Sequence, residues 1–231
     1  MMTQRLGIGL SLMNLPMLES KPVNDGSGGF VRSNIFASVF AKKAGLRGKA
    51  GPPVHDDLVE RNFNATRANE LWLTDITEHQ TSEGKLYLCA IKDVHSNRIV
   101  GYSIDSRMKA SLAVAAVHNA IMLRSPAGTV VHSDRGSQFR SKAFMRTLKN
   151  NNLVGSMGRV GACGDNAAME SFFALLQKNV LDRKRWDTRE ELRLAIITWI
   201  ETTYHRRRRQ RRLGRLTPIE FETIHAALQA A

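Results

Sequence analysis

The chain has 231 residues and a net charge of +13, with a sequence pI near 10.3. An apolar content of 42% excludes global disorder, and the charge points to a polyanionic partner, a basic protein without one being the alternative on charge alone. Two cysteines, Cys89 and Cys163, are too few for a disulfide scaffold and fit a reducing cytoplasm, and no apolar run approaches the ~20 residues of a membrane span.

Residues 1–45 show little regular patterning, with a loop at Asn24-Asp-Gly-Ser-Gly-Gly29, some helical character from Ser33 to Leu46, and no cleavage site that would make Leu6–Met13 a signal peptide. Regular signals start near Asn69. Strands are expected at Trp72–Thr77, Lys85–Lys92 and Ile99–Ile104, joined by turns at Glu83-Gly84 and His95–Arg98 into an antiparallel meander. A helix at Ser111–Leu123 follows, with Leu112, Ala115, Ala116 and Asn119 at helical spacing, then a strand at Thr129–Ser133. Helix Ser141–Asn151, strand Leu153–Met157 and a Gly-rich loop at Gly158–Gly164 lead to helices at Ala167–Asp182 and Thr188–Tyr204. Asp165 or Asn166 is the expected N-cap of the first of these. The order βββαβαβαα is that of an RNase H-like α/β fold, a mixed five-stranded sheet flanked by helices. The organisation is thus 1–50 an irregular arm, 51–205 the core, and 206–231 a basic tail ending in a capping helix at Thr217–Ala231.

Three carboxylates stand out on these elements. Asp75 lies in Leu71-Trp-Leu-Thr-Asp-Ile-Thr77, Asp134 ends Thr129-Val-Val-His-Ser-Asp134, and Glu170 falls in the first turns of Ala167–Gln177, with 35 residues between Asp134 and Glu170. Two strands and a helix carrying such a triad suit a two-metal phosphoryl-transfer site, whose Mg²⁺ or Mn²⁺ ions take oxygen ligands. On that helix Met169, Phe172, Phe173, Leu176 and Val180 form the apolar stripe, leaving Glu170, Ala174, Gln177 and Lys178 on another face. Each carboxylate by itself reads as a surface, cap or turn residue; their conjunction with the charge decides for chemistry. Asp93, before a turn with Ser96, reads as structural, while His132 stays open between core and site.

These motifs resemble the second reading-frame product of insertion-sequence transposases with a retroviral-integrase-type core. The resemblance rests on Leu71–Thr77, Glu83-Gly-Lys-Leu-Tyr87, Arg98-Ile-Val-Gly-Tyr102, Val131-His-Ser-Asp-Arg-Gly-Ser-Gln-Phe139, Ser156-Met157, Asp165–Phe173 and Leu216-Thr-Pro-Ile-Glu-Phe221. It implies that Asp75, Asp134 and Glu170 are the catalytic, metal-binding residues. It also implies end cleavage and strand transfer on double-stranded DNA, both element ends and target, by a homo-oligomer or together with a first-frame product. A catalytically impaired DNA-binding remnant and a plain RNase H-like nuclease are the alternatives. Residues 1–45 do not resemble the helix-turn-helix-like segment that members carry ahead of the core, so a truncated recognition module is expected there. Tyr204-His205 and Gln210-Arg211 depart from the family's Tyr-Asn and His-Ser.

The segment Arg206–Arg215 holds seven arginines in ten residues. Charges this dense repel one another without an anion, so Arg206, Arg207, Arg208, Arg209, Arg211 and Arg212, with Lys178, are expected to meet DNA phosphates. A solvated run at a helix end is the bland alternative.

Overall fold

The computed structural model describes residues 52–158 and 167–230, all within one compact unit spanning Arg47–Ala231. The helical stretch expected at 33–46, the N-cap choice at 165–166, residues 159–164 of the loop and Cys163 lie outside the described residues. Strands β1 (Leu71–Thr81), β2 (Gly84–Asp93) and β3 (Ile99–Asp105) form the antiparallel meander. Strands β4 (Val130–Ser133) and β5 (Val154–Met157) add in parallel, giving the order β3-β2-β1-β4-β5. Helices α1 (Ala110–Arg124) and α2 (Lys142–Asn150) separate the later strands, and α3 (Ala167–Asn179), α4 (Arg189–Thr198) and α5 (Pro218–Ala230) follow.

Strand alternation sorts the central residues onto two faces. Leu71 and Leu73 of β1, with Leu86, Leu88 and Ala90 of β2, pack under Met169, Phe172, Phe173 and Leu176 of α3 and Leu192 and Ile196 of α4. Trp72, Ile76, Cys89 and Ile91 pack on the other face against α1 and α2. Burial pushes the Cys89 thiol up to about 12, so it is an inert core residue. β1 runs four residues past Thr77, because Glu78–Thr81 keep pairing with Gly84–Tyr87.

The face that α1 buries differs from the expected one. Leu112, Ala113, Ala116, Val117 and Ala120 are buried, while Ala115 and Asn119 are exposed and Asn119 Nδ2 donates to the Tyr102 carbonyl at 2.9 Å. Gly101 of β3 decides this: a Cβ there would lie 2.4 Å from the Ala116 carbonyl oxygen and 2.7 Å from Ala120 Cβ. Only a glycine opposite small residues allows that approach.

The expected helix Thr188–Tyr204 is α4 followed by a wider π turn at Trp199–Tyr204. The widening turns Trp199, Ile200 and Tyr204 all inward, with Phe172 packed edge-on to Tyr204 at 5.0 Å. Tyr204 Oη donates to the Asn97 carbonyl at 2.8 Å. The Ile99 N–H donates to His205 Nε2 at 3.2 Å, so the proton sits on Nδ1, which faces Glu201 Oε2 at 3.3 Å. The departure at His205 therefore lies in the core and fastens β3 to the π turn.

Helix α5 starts with a capping box: Thr217 Oγ1 accepts from the Glu220 N–H at 3.2 Å and Glu220 Oε2 from the Thr217 N–H at 2.9 Å. It is clamped by Glu222, which accepts from Ser96 Oγ at 2.6 Å, from Arg98 at 2.7 Å and from Arg124. Burial opposes the charge of Glu222, but the hydrogen bonds from Arg124 and Ser96 outweigh it and hold the carboxyl below its ordinary range. Asp93, fully buried, accepts from the Asn69 and His95 N–H groups at 2.9 Å each, a structural role. Removing one member of a largely buried ion cluster strands the rest, so Glu222→Ala is expected to cost about 3 kcal/mol in chemical denaturation.

At the far end of β1, His79 is buried on the α3 face, facing a cleft lined by Gln177, Leu181, Trp186 and Leu192. Its Nε2 has no hydrogen-bond partner among the described residues. Burial lowers its pKa from 6.5 to about 4. The folded state thus refuses a proton that the unfolded chain accepts, so stability is whole above about 6.5 and is lost as pH falls toward 4. The loss between those limits is expected to be about 3 kcal/mol relative to His79→Leu, read from denaturation curves of both proteins.

Candidate active site

Pairing between β1 and β4 positions the first two carboxylates. The parallel register matches Leu71 with Val130, Trp72 with Val131 and Leu73 with His132, and the same offset carried two residues past the last pair would bring Asp75 level with Asp134. Asp75 is in phase with Leu71 and Leu73 on the α3 face, while Asp134 follows the end of β4 and is exposed. After burial, both Asp75 and Asp134 add to the upward push on the Cys89 thiol.

Local hydrogen bonds orient each carboxylate. Asp75 Oδ1 accepts from the Ile76 N–H at 2.7 Å, and Asp134 Oδ1 from the Gly136 N–H at 2.9 Å. A Cβ on Gly136 would lie 2.8 Å from that same Asp134 oxygen, so only glycine leaves the carboxylate its place. The loop beyond is pinned by Arg135 Nε, which donates to the Gly158 carbonyl at 2.8 Å, and by buried Phe139 against Phe144. His132 is buried and pairs through Nδ1 with Ser156 Oγ at 3.0 Å, a core histidine.

Glu170 stands on α3, whose apolar stripe is buried as the pattern requires and whose Glu170, Ala174 and Lys178 are exposed. α3 runs along β1 in the same direction. Lys92, paired with Leu73, reaches the Ala168 carbonyl at 3.0 Å, while near the other end the Ser82 N–H donates to the Trp186 carbonyl at 2.9 Å. The first turn of α3, which holds Glu170, is thus tied at Ala168 to Lys92, whose partner Leu73 is two positions short of Asp75 along β1. Among the described residues no three acidic, histidine or cysteine side chains are yet gathered as a metal cage. Glu170 is exposed on the covering helix.

The donor set fits a hard divalent cation. Mg²⁺ is commonly held by one or two carboxylates with water and phosphate oxygens, a demand that Asp75 and Asp134 would meet. The small Gly136 cradle keeps Asp134 open to such an ion.

Lys92 completes the surroundings, and its only sequence signal is its place closing the inward series Leu86, Leu88, Ala90, Lys92. Burial, followed by the nearby Arg212 charge, lowers its pKa to about 8. That influence also shows that the arginine segment borders the α3 start. The segment folds onto the core: Gln210 and Leu216 form a β-bridge, Leu213 is buried, and Gln210 Oε1 accepts from Asn97 Nδ2 at 3.0 Å. Arg206–Arg209, Arg211, Arg212 and Arg215 all remain exposed on this loop, with Arg209 near Glu220 at 3.4 Å and Arg212 donating to the Phe63 carbonyl at 3.4 Å. The departure at Gln210 is therefore a core fastening, like His205.

Two integrase core domain models match the chain, one over residues 65–163 and one over 153–218. The chain is 38% identical over 199 residues to the transposase InsF for insertion sequence IS3A of Escherichia coli, covering 80% of this chain and 69% of that protein. It is 37% identical over 202 residues to the transposase for insertion sequence element IS629 of Shigella sonnei, covering 87% of this chain and 65% of that one. Among solved structures, the HTLV-2 integrase catalytic core domain in complex with magnesium superposes with a TM-score of 0.54 at 19% identity, over 69% of this chain and 99% of that one. The catalytic core domain of BIV integrase gives a TM-score of 0.51 at 16% identity, over 71% and 99%. At these identities the structures establish a shared RNase H-like fold.

Proposed function

Because the chain belongs to the insertion-sequence transposases built on an integrase core domain, we propose that Asp75, Asp134 and Glu170 hold the divalent metal of its DNA cleavage and strand-transfer centre. The observation that supports this is the β1–β4 register from Leu71–Val130 to Leu73–His132, whose continuation would bring Asp75 level with Asp134, next to the face covered by the helix bearing Glu170. The magnesium named with the HTLV-2 core supports the choice of metal.

The reaction is two phosphoryl transfers. A water oxygen bonds to phosphorus at the element end while the P–O3′ bond breaks, leaving a 3′-hydroxyl and a 5′-phosphate. That 3′-oxygen then bonds to a target phosphorus, its proton leaves to solvent, and the target's own 3′-oxygen departs and takes up a proton. Bound metal ions supply charge neutralisation on attacking and leaving oxygens. Asp75 and Asp134 hold fixed orientations through the Ile76 and Gly136 N–H groups, so little reorganisation is needed when the phosphate arrives. Lys178 and the arginine loop bind flanking phosphates and fix the strand over the carboxylates. Pairing two DNA ends calls for a second copy of the chain.

The test is strand joining with labelled element-end DNA in Mg²⁺ or Mn²⁺. Joined product supports a working transposase; cleavage of RNA–DNA hybrid without joining would replace this reading with a plain nuclease.

A further inference from the structure

Lys92 is 5% exposed in the layer between the sheet and α3. It pairs with Leu73 across β1 and β2, so Asp75 is its diagonal neighbour on the same face, ~7–8 Å away between Cα atoms and within reach of a long side chain. Its ammonium donates to the Ala168 carbonyl at 3.0 Å, in the turn of α3 that also holds Glu170. The surroundings do not favour a cation for stability. The Arg212 guanidinium acts on it as a like charge, and the start of a helix is the positive end of its dipole. Leu73, Leu88, Ala90, Met169 and Phe172 otherwise make this layer apolar, where an apolar side chain of equal volume would cost less.

We propose that Lys92 is a positioning residue of the active site: its ammonium, bonded to the first turn of α3 from the β2 position diagonal to Asp75, fixes where Glu170 stands relative to Asp75. This rests on the reading that both carboxylates belong to the site. Lys92 meets neither DNA nor the reacting phosphorus; it acts by tying the covering helix to the strand pair. Outer partners of this kind typically change activity by about 10–100-fold.

The experiment compares Lys92→Met, Lys92→Gln and Glu170→Gln in the full chain, with three readouts: strand joining resolved into kcat and KM for DNA, thermal unfolding, and amide hydrogen exchange across 168–173. In Lys92→Met, kcat is expected to fall by about 10–100-fold with KM for DNA within about twofold. Unfolding should stay at or above the wild-type temperature, and exchange in the first turn of α3 should quicken. Lys92→Gln, which keeps an N–H donor, is expected to restore the exchange protection in part and, should the Met variant fold poorly, carries the same comparison. Wild-type kcat and unchanged exchange in a folded Lys92 variant, beside an inactive Glu170→Gln, would overturn the role of Lys92 alone. An active Glu170→Gln would overturn the site reading beneath it.

Discussion

Asp75→Asn, Asp134→Asn and Glu170→Gln are each expected to lower strand joining by about 10³-fold or more, equivalent to about 4 kcal/mol of transition-state stabilisation. Each change keeps size and shape and removes the anionic oxygen a hard cation requires. The effects should be strongly non-additive, since a double variant has no assembled centre left to lose. Folding is expected to survive: Asp134 and Glu170 are exposed, and Asp75 would keep an oxygen for the Ile76 N–H. Binding to DNA should persist as well, because the arginine loop is untouched. The measurement is single-turnover joining in Mg²⁺, with circular dichroism and DNA binding alongside. Activity within tenfold of wild type for any one variant would remove that residue from the site.

Changing Arg206, Arg207, Arg208 and Arg211 together to Gln is expected to weaken DNA binding by about 10²-fold at low salt. The slope of log affinity against log salt should fall by about three to four, since each lost phosphate contact removes about 0.9. These four side chains are exposed, while the folded loop itself is held by Gln210, Leu213 and Leu216, which stay in place. Arg209 and Arg212 are left alone because they also meet Glu220 and the Phe63 carbonyl. Base preference should not change, for phosphate contacts position without specifying. Salt titrations with element-end and unrelated DNA provide the check, and an unchanged slope would send the DNA elsewhere on the surface.

The two effects separate the work of the two regions. Loss of a carboxylate strikes the chemical step with binding intact; loss of the arginines strikes binding and, at saturating DNA, leaves the chemical step near its original rate. A variant set showing this split would place the phosphate-binding loop and the carboxylates on one DNA path.

By itself, the sequence determined whatever depends on near neighbours. Period-two and helical patterns placed all five strands and the main helices within a few residues, and the inward stripe of α3 from Met169 to Val180 needed nothing beyond its spacing. The candidate carboxylates were legible for the same reason, each lying in a short segment with its own secondary-structure signature. Tertiary structure decided what depends on residues far apart in the chain. What would bring Asp75 level with Asp134 is a parallel register between strands joined by the rest of the fold, and no local pattern encodes that offset. In α1 the alanines offered two faces of similar polarity, and the close approach of Gly101 chose between them. The arginine run, a tail by composition, is held as a loop because Gln210, Leu213 and Tyr204 find partners across the molecule. For Lys92 the sequence offered only its place closing the inward series Leu86, Leu88 and Ala90, and a single lysine at a strand end is normally a solvated one; α3 closing over it made it an internal charge.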